Sequence, residues 1–124
     1  NIKYLPLMRT IRLVRLIVFY EAQEHELIQY ESRSITRSLS SPKEQTFKTE
    51  RIILWFLNKR NIPILKKDRE AFWEKLSPEI QELYNNKYES QLLRLFDFTA
   101  WMESKIRKEK LSEVLRARSS AKEC

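Results

Sequence analysis

The chain contains no glycine among its 124 residues, whereas average usage near 7% would supply about nine. Tight hairpins and phosphate-cradling loops depend on the positive φ angles that glycine adopts freely. The absence therefore favours helices over β-rich folds, and it leaves any positive-φ position to Asn or Asp. Dinucleotide fingerprints, phosphate-binding loops and nucleophile elbows all contain glycine, so the enzyme classes built on them are excluded.

The remaining composition predicts a folded all-α domain. Hydrophobic residues make up 42% of the chain, with three Trp, five Tyr and six Phe, which is enough for a core. We predict a single-domain bundle of four or five helices over residues 1–118, with long N-terminal and C-terminal helices and a frayed tail at residues 119–124. The predicted core is led by eight large side chains: Trp55, Phe56, Phe72, Leu76, Leu92, Leu95, Phe96 and Ile106.

The segment from Tyr88 to Arg118 holds neither proline nor glycine and predicts one long helix. At 100° per residue, an apolar stripe runs through it from Leu92 to Ile106, and this stripe is expected to face the core. A second face mixes aromatic with basic side chains at heptad-like intervals: Arg94, Phe98, Trp101, Lys105 and Lys108. We identify this second face as the candidate binding site.

Two functions fit the second face. The chain has 24 Lys and Arg against 17 Asp and Glu, a net charge of +7, which favours polyanionic partners. In the preferred hypothesis the face binds nucleic acid, its cations meeting phosphates while Phe98 and Trp101 stack on bases. In the alternative, the same five residues form a helix-packing seam that joins another helix of the domain, a partner protein or a second protomer. Both hypotheses describe a non-enzymatic module that needs no cofactor and no small-molecule substrate.

The N-terminal segment predicts a helix that begins near Pro6 and runs through the thirties. Arg9, Arg12 and Arg15 recur at every third residue among apolar neighbours, a spacing that resembles a voltage-sensor helix. Three arginines at mid-helix would cost about 7–10 kcal/mol, whereas the surrounding apolar residues return only about 2–4 kcal/mol, so no transmembrane span is predicted. The preferred interpretation is a core-lining helix whose arginines reach solvent or a carboxylate. The alternative is an amphipathic helix that binds a membrane surface or a polyanion.

Cap and proline signals divide the middle of the chain into helices. The sequence SPKE at residues 41–44 predicts the start of a helix that runs to about Arg60. That start signal favours a helix over a buried strand for the apolar run at residues 52–57. Pro78 leaves open whether one kinked helix or two short ones follow. Asn85-Asn86 predicts the turn that precedes the C-terminal helix.

No catalytic or metal-binding constellation emerges from the sequence. His25 is the only histidine and Cys124 the only cysteine, so Ser/His/Asp and Cys/His sets are not indicated. Glu21 and His25 could supply two ligands from one helix face, but a zinc site needs three or four, so no metal is predicted. A single cysteine permits no intrachain disulfide and fits a reducing interior, which predicts a cytoplasmic location.

Overall fold

The computed structural model describes residues 5–39, 47–58 and 62–123. Within these ranges the chain forms seven α-helices and no strand: α1 (Leu5–Glu21), α2 (His25–Leu39), α3 (Lys48–Asn58), α4 (Lys66–Asn85), α5 (Lys87–Leu95), α6 (Phe98–Arg107) and α7 (Leu111–Glu123). The predicted all-α class is confirmed, but the predicted four or five helices are too few. No helix in the same ranges is long and apolar enough to cross a membrane.

The segment predicted as one long C-terminal helix is divided into α5, α6 and α7. Phe96 and Asp97 leave helical geometry, and the Asp97 carboxylate accepts the Ala100 N–H at 3.1 Å as the N-cap of α6. Aspartate favours this position because its side chain satisfies an N–H group that has no partner in a preceding turn. Lys108 then takes left-handed geometry, with φ 55° and ψ 47°, and ends α6. Apolar periodicity alone does not show where such a cap interrupts a helix.

Positive φ angles occur at Gln23 (60°) and Lys108 (55°) in the described ranges, and not at Asn or Asp as predicted. Gln23 lies in the turn between α1 and α2, so the N-terminal helix does not run unbroken into the thirties. Backbone hydrogen bonds close this turn, from Gln23 N–H to the Tyr20 carbonyl at 3.1 Å and from Glu24 N–H to the Phe19 carbonyl at 2.9 Å. Left-handed geometry costs a residue with a Cβ about 1–2 kcal/mol, and these bonds offset that cost.

The middle of the chain agrees with the helical prediction. The apolar run at residues 52–57 is helical within α3, so the alternative of a buried strand is wrong. The predicted start signal at residues 41–44 lies outside the described residues. α4 carries Pro78 in its interior, so one helix and not two short ones follows α3.

In the C-terminal half, the structure contains the predicted turn at Asn86 but not the predicted frayed tail over most of its length. Asn86 forms the predicted turn and caps α5, because its side chain accepts the Tyr88 and Glu89 N–H groups at 2.9 and 3.1 Å. At the other end α7 continues to Glu123, so most of the segment predicted to fray is helical.

α6 lies at the centre of the fold and packs against α3, α4 and α7. Eight of its ten residues are buried. Of the predicted core, three side chains are fully buried: Phe56, Leu92 and Ile106. Three more are partly buried and pack against the core: Phe72, Leu76 and Phe96.

The prediction of a core position was wrong for Trp55 and Leu95, which are 47% and 51% exposed. α3 buries the faces that hold Ile53 and Phe56 and leaves Trp55 on the open one. The apolar run therefore does not make α3 a helix buried all round. Leu95 is the last residue of α5, and the chain turns out of the helix at Phe96, so Leu95 stays at the exposed end of α5.

Candidate functional site

The structure places the five predicted site residues in different settings. Arg94 is exposed on α5, and the break at residues 96 and 97 separates it from the rest. Phe98 and Trp101 lie on α6 and are buried, with 0% and 3% of their surface exposed. Lys105 is partly buried in the last turn of α6, and Lys108 is the exposed residue that follows this helix. The five side chains therefore do not form one surface.

Trp101 joins α6 to α1 and α3. Its ring meets Tyr20 and Phe56 edge-on, with centroids 5.3 and 5.7 Å away, an arrangement that aromatic pairs prefer. Its Nε1–H donates to Glu21 Oε1 at 3.0 Å. A buried indole whose N–H already has a hydrogen-bond acceptor contributes to the packing of the core and has no group left for a ligand. Trp101 and the buried Phe98 are therefore closed to a nucleic-acid base.

Glu21 also binds the Lys105 ammonium, with Nζ 2.6 Å from Oε1. Burial alone would raise the pKa of Glu21, but the hydrogen bonds from Lys105 and Trp101 outweigh it and lower the pKa below its ordinary value. Glu21 is thus ionised near neutral pH and offsets the charge of Lys105. It ties α1 to α6. In the described part of the chain no three His, Cys, Asp or Glu side chains converge as a metal site.

The arginines of α1 are held by carboxylates from other helices. Arg9 and Arg12 both reach Glu50 of α3, at 3.1 and 3.0 Å from Oε2. Arg15 reaches Glu31 of α2 at 3.2 Å. The arrangement matches the interpretation of α1 as a core-lining helix whose arginines reach a carboxylate. Each of the three arginines has a carboxylate partner within the chain, with Glu50 shared between Arg9 and Arg12, so a phosphate would have to compete with these carboxylates.

Two buried glutamates hold the N-terminus of α3, and neither was predicted from the sequence. Glu89 of α5 accepts the Lys48 and Thr49 N–H groups at 2.8 and 3.0 Å, and Glu50 accepts the Phe47 N–H at 3.3 Å. The first N–H groups of a helix lack partners and carry partial positive charge, so carboxylates stabilise them. Phe47 has no side-chain oxygen, so this position carried no capping-box signal.

A second polar network joins α4, α6 and α7 around Arg118. Its guanidinium donates to Tyr84 Oη at 2.7 Å, to Thr99 Oγ1 at 2.8 Å and to Glu103 Oε1 at 2.7 Å. Burial and the hydrogen bond to Asp97 raise the pKa of Tyr84 above its ordinary 10.0, so the phenol is protonated near neutral pH. Each of these groups is engaged by another, which makes the network a link between helices.

A polar groove runs between α2 and the C-terminal ends of α3 and α6. It consists of two adjoining hollows of about 680 and 530 Å³ that share Gln29 and Asn58 as lining residues. We call it the polar groove, and its wall includes Tyr20, Glu21, His25, Gln29, Arg33, Arg37, Asn58 and Lys105. Lys105 is the one member of the predicted site that lines it.

Arg33 and Arg37 stand one turn apart on the exposed side of α2, and no carboxylate that the structure describes pairs with either. Tyr30 precedes Arg33 by one turn on the same face and is 71% exposed. The combination of aromatic and basic side chains that was predicted on α6 is thus found facing solvent on α2. Its signal in the sequence was the helical spacing of residues 30, 33 and 37.

Comparisons with family models, curated proteins and solved structures found no match to this chain. Its function is therefore inferred from its own residues and their geometry.

Proposed function

We propose that this chain is a non-enzymatic helical module that binds nucleic acid through the sugar-phosphate backbone, with the polar groove as its site. The observation that carries the proposal is that Arg33 and Arg37 line this groove without a carboxylate partner in the described residues, whereas the arginines of α1 are paired. A net charge of +7 favours a polyanion as the ligand. The site differs from the one predicted on α6, because Phe98 and Trp101 are buried.

The polar groove is long enough for several phosphates. His25 and Arg37 lie twelve residues apart on α2, which at 1.5 Å per residue is about 18 Å. Phosphates of one strand follow each other at about 3.4 Å along a duplex axis and are more widely spaced in an extended single strand, so the groove spans at most about five of them. Its cations are therefore spaced to meet more than one phosphate of the same strand.

Amide side chains in the groove can contact sugars and bases. Asn58 Nδ2 donates to the Leu54 carbonyl at 2.7 Å and to Ser32 Oγ at 3.3 Å. These bonds fix the amide, and its oxygen remains an acceptor for a ribose hydroxyl or a base. Gln29 is half-buried on the opposite wall and offers both a donor and an acceptor.

Tyr30 supplies the stacking surface that favours a single strand. Stacking of a base on an aromatic side chain contributes about 1–3 kcal/mol and tolerates every base. Tyr30 stands beside Arg33 and Arg37 on α2 and is largely exposed, so an unpaired base can lie on its ring while the arginines hold the backbone. Bases inside a duplex are already stacked, and a duplex should bind more weakly.

Arg33 and Arg37 should contribute more than Lys105 does. Glu21 binds the Lys105 ammonium, so a phosphate would compete with that carboxylate. Glu21 is also the one carboxylate among the described residues that line the polar groove. The end of the groove near Arg33 and Arg37 is therefore the more attractive one for a phosphate.

The experiment that tests this proposal is the titration of a labelled single-stranded oligonucleotide at several salt concentrations. Two phosphate contacts, by Arg33 and Arg37, predict that log K falls against log salt with a slope of about −1.4, at about −0.7 per contact. A duplex of the same length should bind more weakly at each concentration. Absence of salt-dependent binding to both DNA and RNA single strands would refute the proposal.

A further inference from the structure

An apolar groove between α3 and α4 is separate from the polar groove and has no role in the proposed function. It has a volume of about 730 Å³, and Ile52, Trp55, Phe72 and Leu76 form its floor. Trp55 is 47% exposed, and its ring lies parallel to Phe72, with 6.2 Å between centroids and 5° between planes. A tryptophan left half in water in an apolar groove is typical of a protein interface.

The length of the apolar groove suits one short helix. α3 and α4 both pack on α5 and α6, and the groove runs between them. Together with an adjoining hollow that Lys48 and Glu82 line, the groove extends at 1.5 Å per residue about 10 Å along α3, from Trp55 to Lys48, and about 15 Å along α4, from Phe72 to Glu82. Roughly two to three turns of a third helix fit this length, with apolar residues at i, i+3 or i+4, and i+7 over the floor.

The rim of the apolar groove carries opposite charges on its two sides. Arg51 of α3 and Glu79 of α4 line both this groove and an adjoining hollow of about 220 Å³, where Lys48 joins the α3 side and Glu82 the α4 side. Neither Arg51 nor Glu79 forms an ion pair with a residue that the structure describes. Lys75, one turn before Glu79, adds a second cation. The rim is therefore complementary to a ligand with a strong acidic side and a weaker basic side.

We propose that the apolar groove docks an amphipathic helix of another protein, with an apolar stripe, an acidic flank toward α3 and a basic flank toward α4. A second copy of this chain does not supply this pattern from its most apolar exposed helix, α1. In the described part of the chain α1 exposes four apolar side chains: Leu7, Met8, Ile11 and Val18. Every charged residue of α1 before Glu21 is an arginine, so α1 would bring cations to Glu79 but no carboxylate to Arg51.

The test uses three designed helical peptides of equal length with the same leucine stripe. The first has glutamate on one flank and lysine on the other, the second has glutamate on both flanks, and the third has lysine on both. Binding of each labelled peptide to the full chain is measured by fluorescence anisotropy. The wild type should bind the mixed peptide most tightly, because that peptide alone places an opposite charge beside both Arg51 and Glu79.

Three variants and a control define the outcome. Glu79→Lys should shift the preference to the glutamate peptide, and Arg51→Glu should shift it to the lysine peptide, each by several-fold. Trp55→Ala should weaken binding of the mixed peptide by roughly tenfold or more, as for a residue at the centre of an interface. Val18→Ala removes an exposed apolar group outside the groove and should leave binding unchanged.

Three results would overturn the proposal. One is equal affinity of the wild type for all three peptides, or binding of none. Another is binding that survives Trp55→Ala in a chain whose melting curve shows it is folded. The last is self-association of the wild type that Trp55→Ala abolishes, which would place a second copy in the groove. Should Trp55→Ala fail to fold, the preferences of Glu79→Lys and Arg51→Glu decide the test, because both residues lie at the surface of the groove.

Discussion

The indole N–H of Trp101 donates to Glu21, eighty positions earlier in the chain, and this 3.0 Å bond fixes α6 against the end of α1. The same carboxylate binds Lys105. Two of the residues predicted to contact a ligand are thus held by one side chain of the protein itself. On α6, Trp101 and Lys105 serve the packing and ion pairing of the protein itself. The aromatic and basic side chains that face solvent lie on α2, at Tyr30, Arg33 and Arg37.

Replacing Trp101 by Ala should lower the free energy of unfolding by about 3–5 kcal/mol, because a buried indole leaves a cavity. Trp101→Phe keeps a ring in the site and loses the bond to Glu21, so it should cost less. Urea denaturation of the three chains measures both effects. A Trp101→Ala chain of unchanged stability that no longer binds nucleic acid would return the binding site to α6.

Glu50→Gln should destabilise the chain by about 3–5 kcal/mol, because it removes the buried carboxylate that binds both Arg9 and Arg12. The matched control is Glu31→Gln, which removes the partner of the mostly exposed Arg15 and should cost about 0–1 kcal/mol. Chemical denaturation at neutral pH compares the two variants. Equal, small losses would show that the Arg9–Glu50 pair is not formed as a buried pair.

The stabilising effect of Glu21 should depend on pH. Its folded-state pKa lies below the ordinary value of 4.5, since the hydrogen bonds from Lys105 and Trp101 outweigh the effect of burial. A lowered pKa adds stability that is present above the ordinary pKa and is lost as the pH falls through the folded-state pKa. The difference in unfolding free energy between wild type and Glu21→Gln should therefore shrink on acidification below pH 4.5. A difference that stays constant down to about pH 3 would contradict this.

The sequence was sufficient to predict helices and parts of the core, because apolar periodicity records which face of a helix is buried. It did not locate the breaks at Gln23 and Lys108, since residues of these types enter left-handed geometry only where neighbouring carbonyls and turns favour it. Aspartate is a common N-cap residue, so Asp97 was a possible helix start. The apolar periodicity of the surrounding segment, however, fitted one uninterrupted helix equally well.

Contacts between residues far apart in the chain account for the other features of the structure that the sequence did not predict. Hydrophobicity predicted burial of Trp55, but its exposure follows from which faces of α3 meet neighbouring helices. Glu50 and Glu89 hold the start of α3 from within the core, and no local pattern marks the bond from Arg9 to Glu50 or from Lys48 to Glu89, each between residues about forty positions apart. The helical spacing of Tyr30 and Arg33 was present in the sequence. The burial of Phe98 removed the competing site on α6, and only then did the exposed face of α2 become the better candidate.

Tyr30→Ala should weaken binding of a single-stranded oligonucleotide by about 1–3 kcal/mol and leave the salt slope unchanged, because it removes stacking and no charge. Tyr30→Phe keeps the ring and should bind like the wild type. Heparin, a polyanion without bases, should bind equally to all three chains in the same titration. An equal loss of heparin and oligonucleotide binding in Tyr30→Ala would show that Tyr30 does not stack on a base.

The polar groove is tested most directly by the salt dependence of oligonucleotide binding in the double variant Arg33→Ala/Arg37→Ala. If both arginines meet phosphates, the slope of log K against log salt should flatten by about 1.4, at about 0.7 per contact on a single strand. Arg116→Ala removes an exposed arginine of α7 outside the groove and should leave the slope as it is in the wild type. A double variant that keeps the wild-type slope would contradict the polar groove as the binding site, and a flatter slope in Arg94→Ala or Arg116→Ala would place the phosphate contacts outside it.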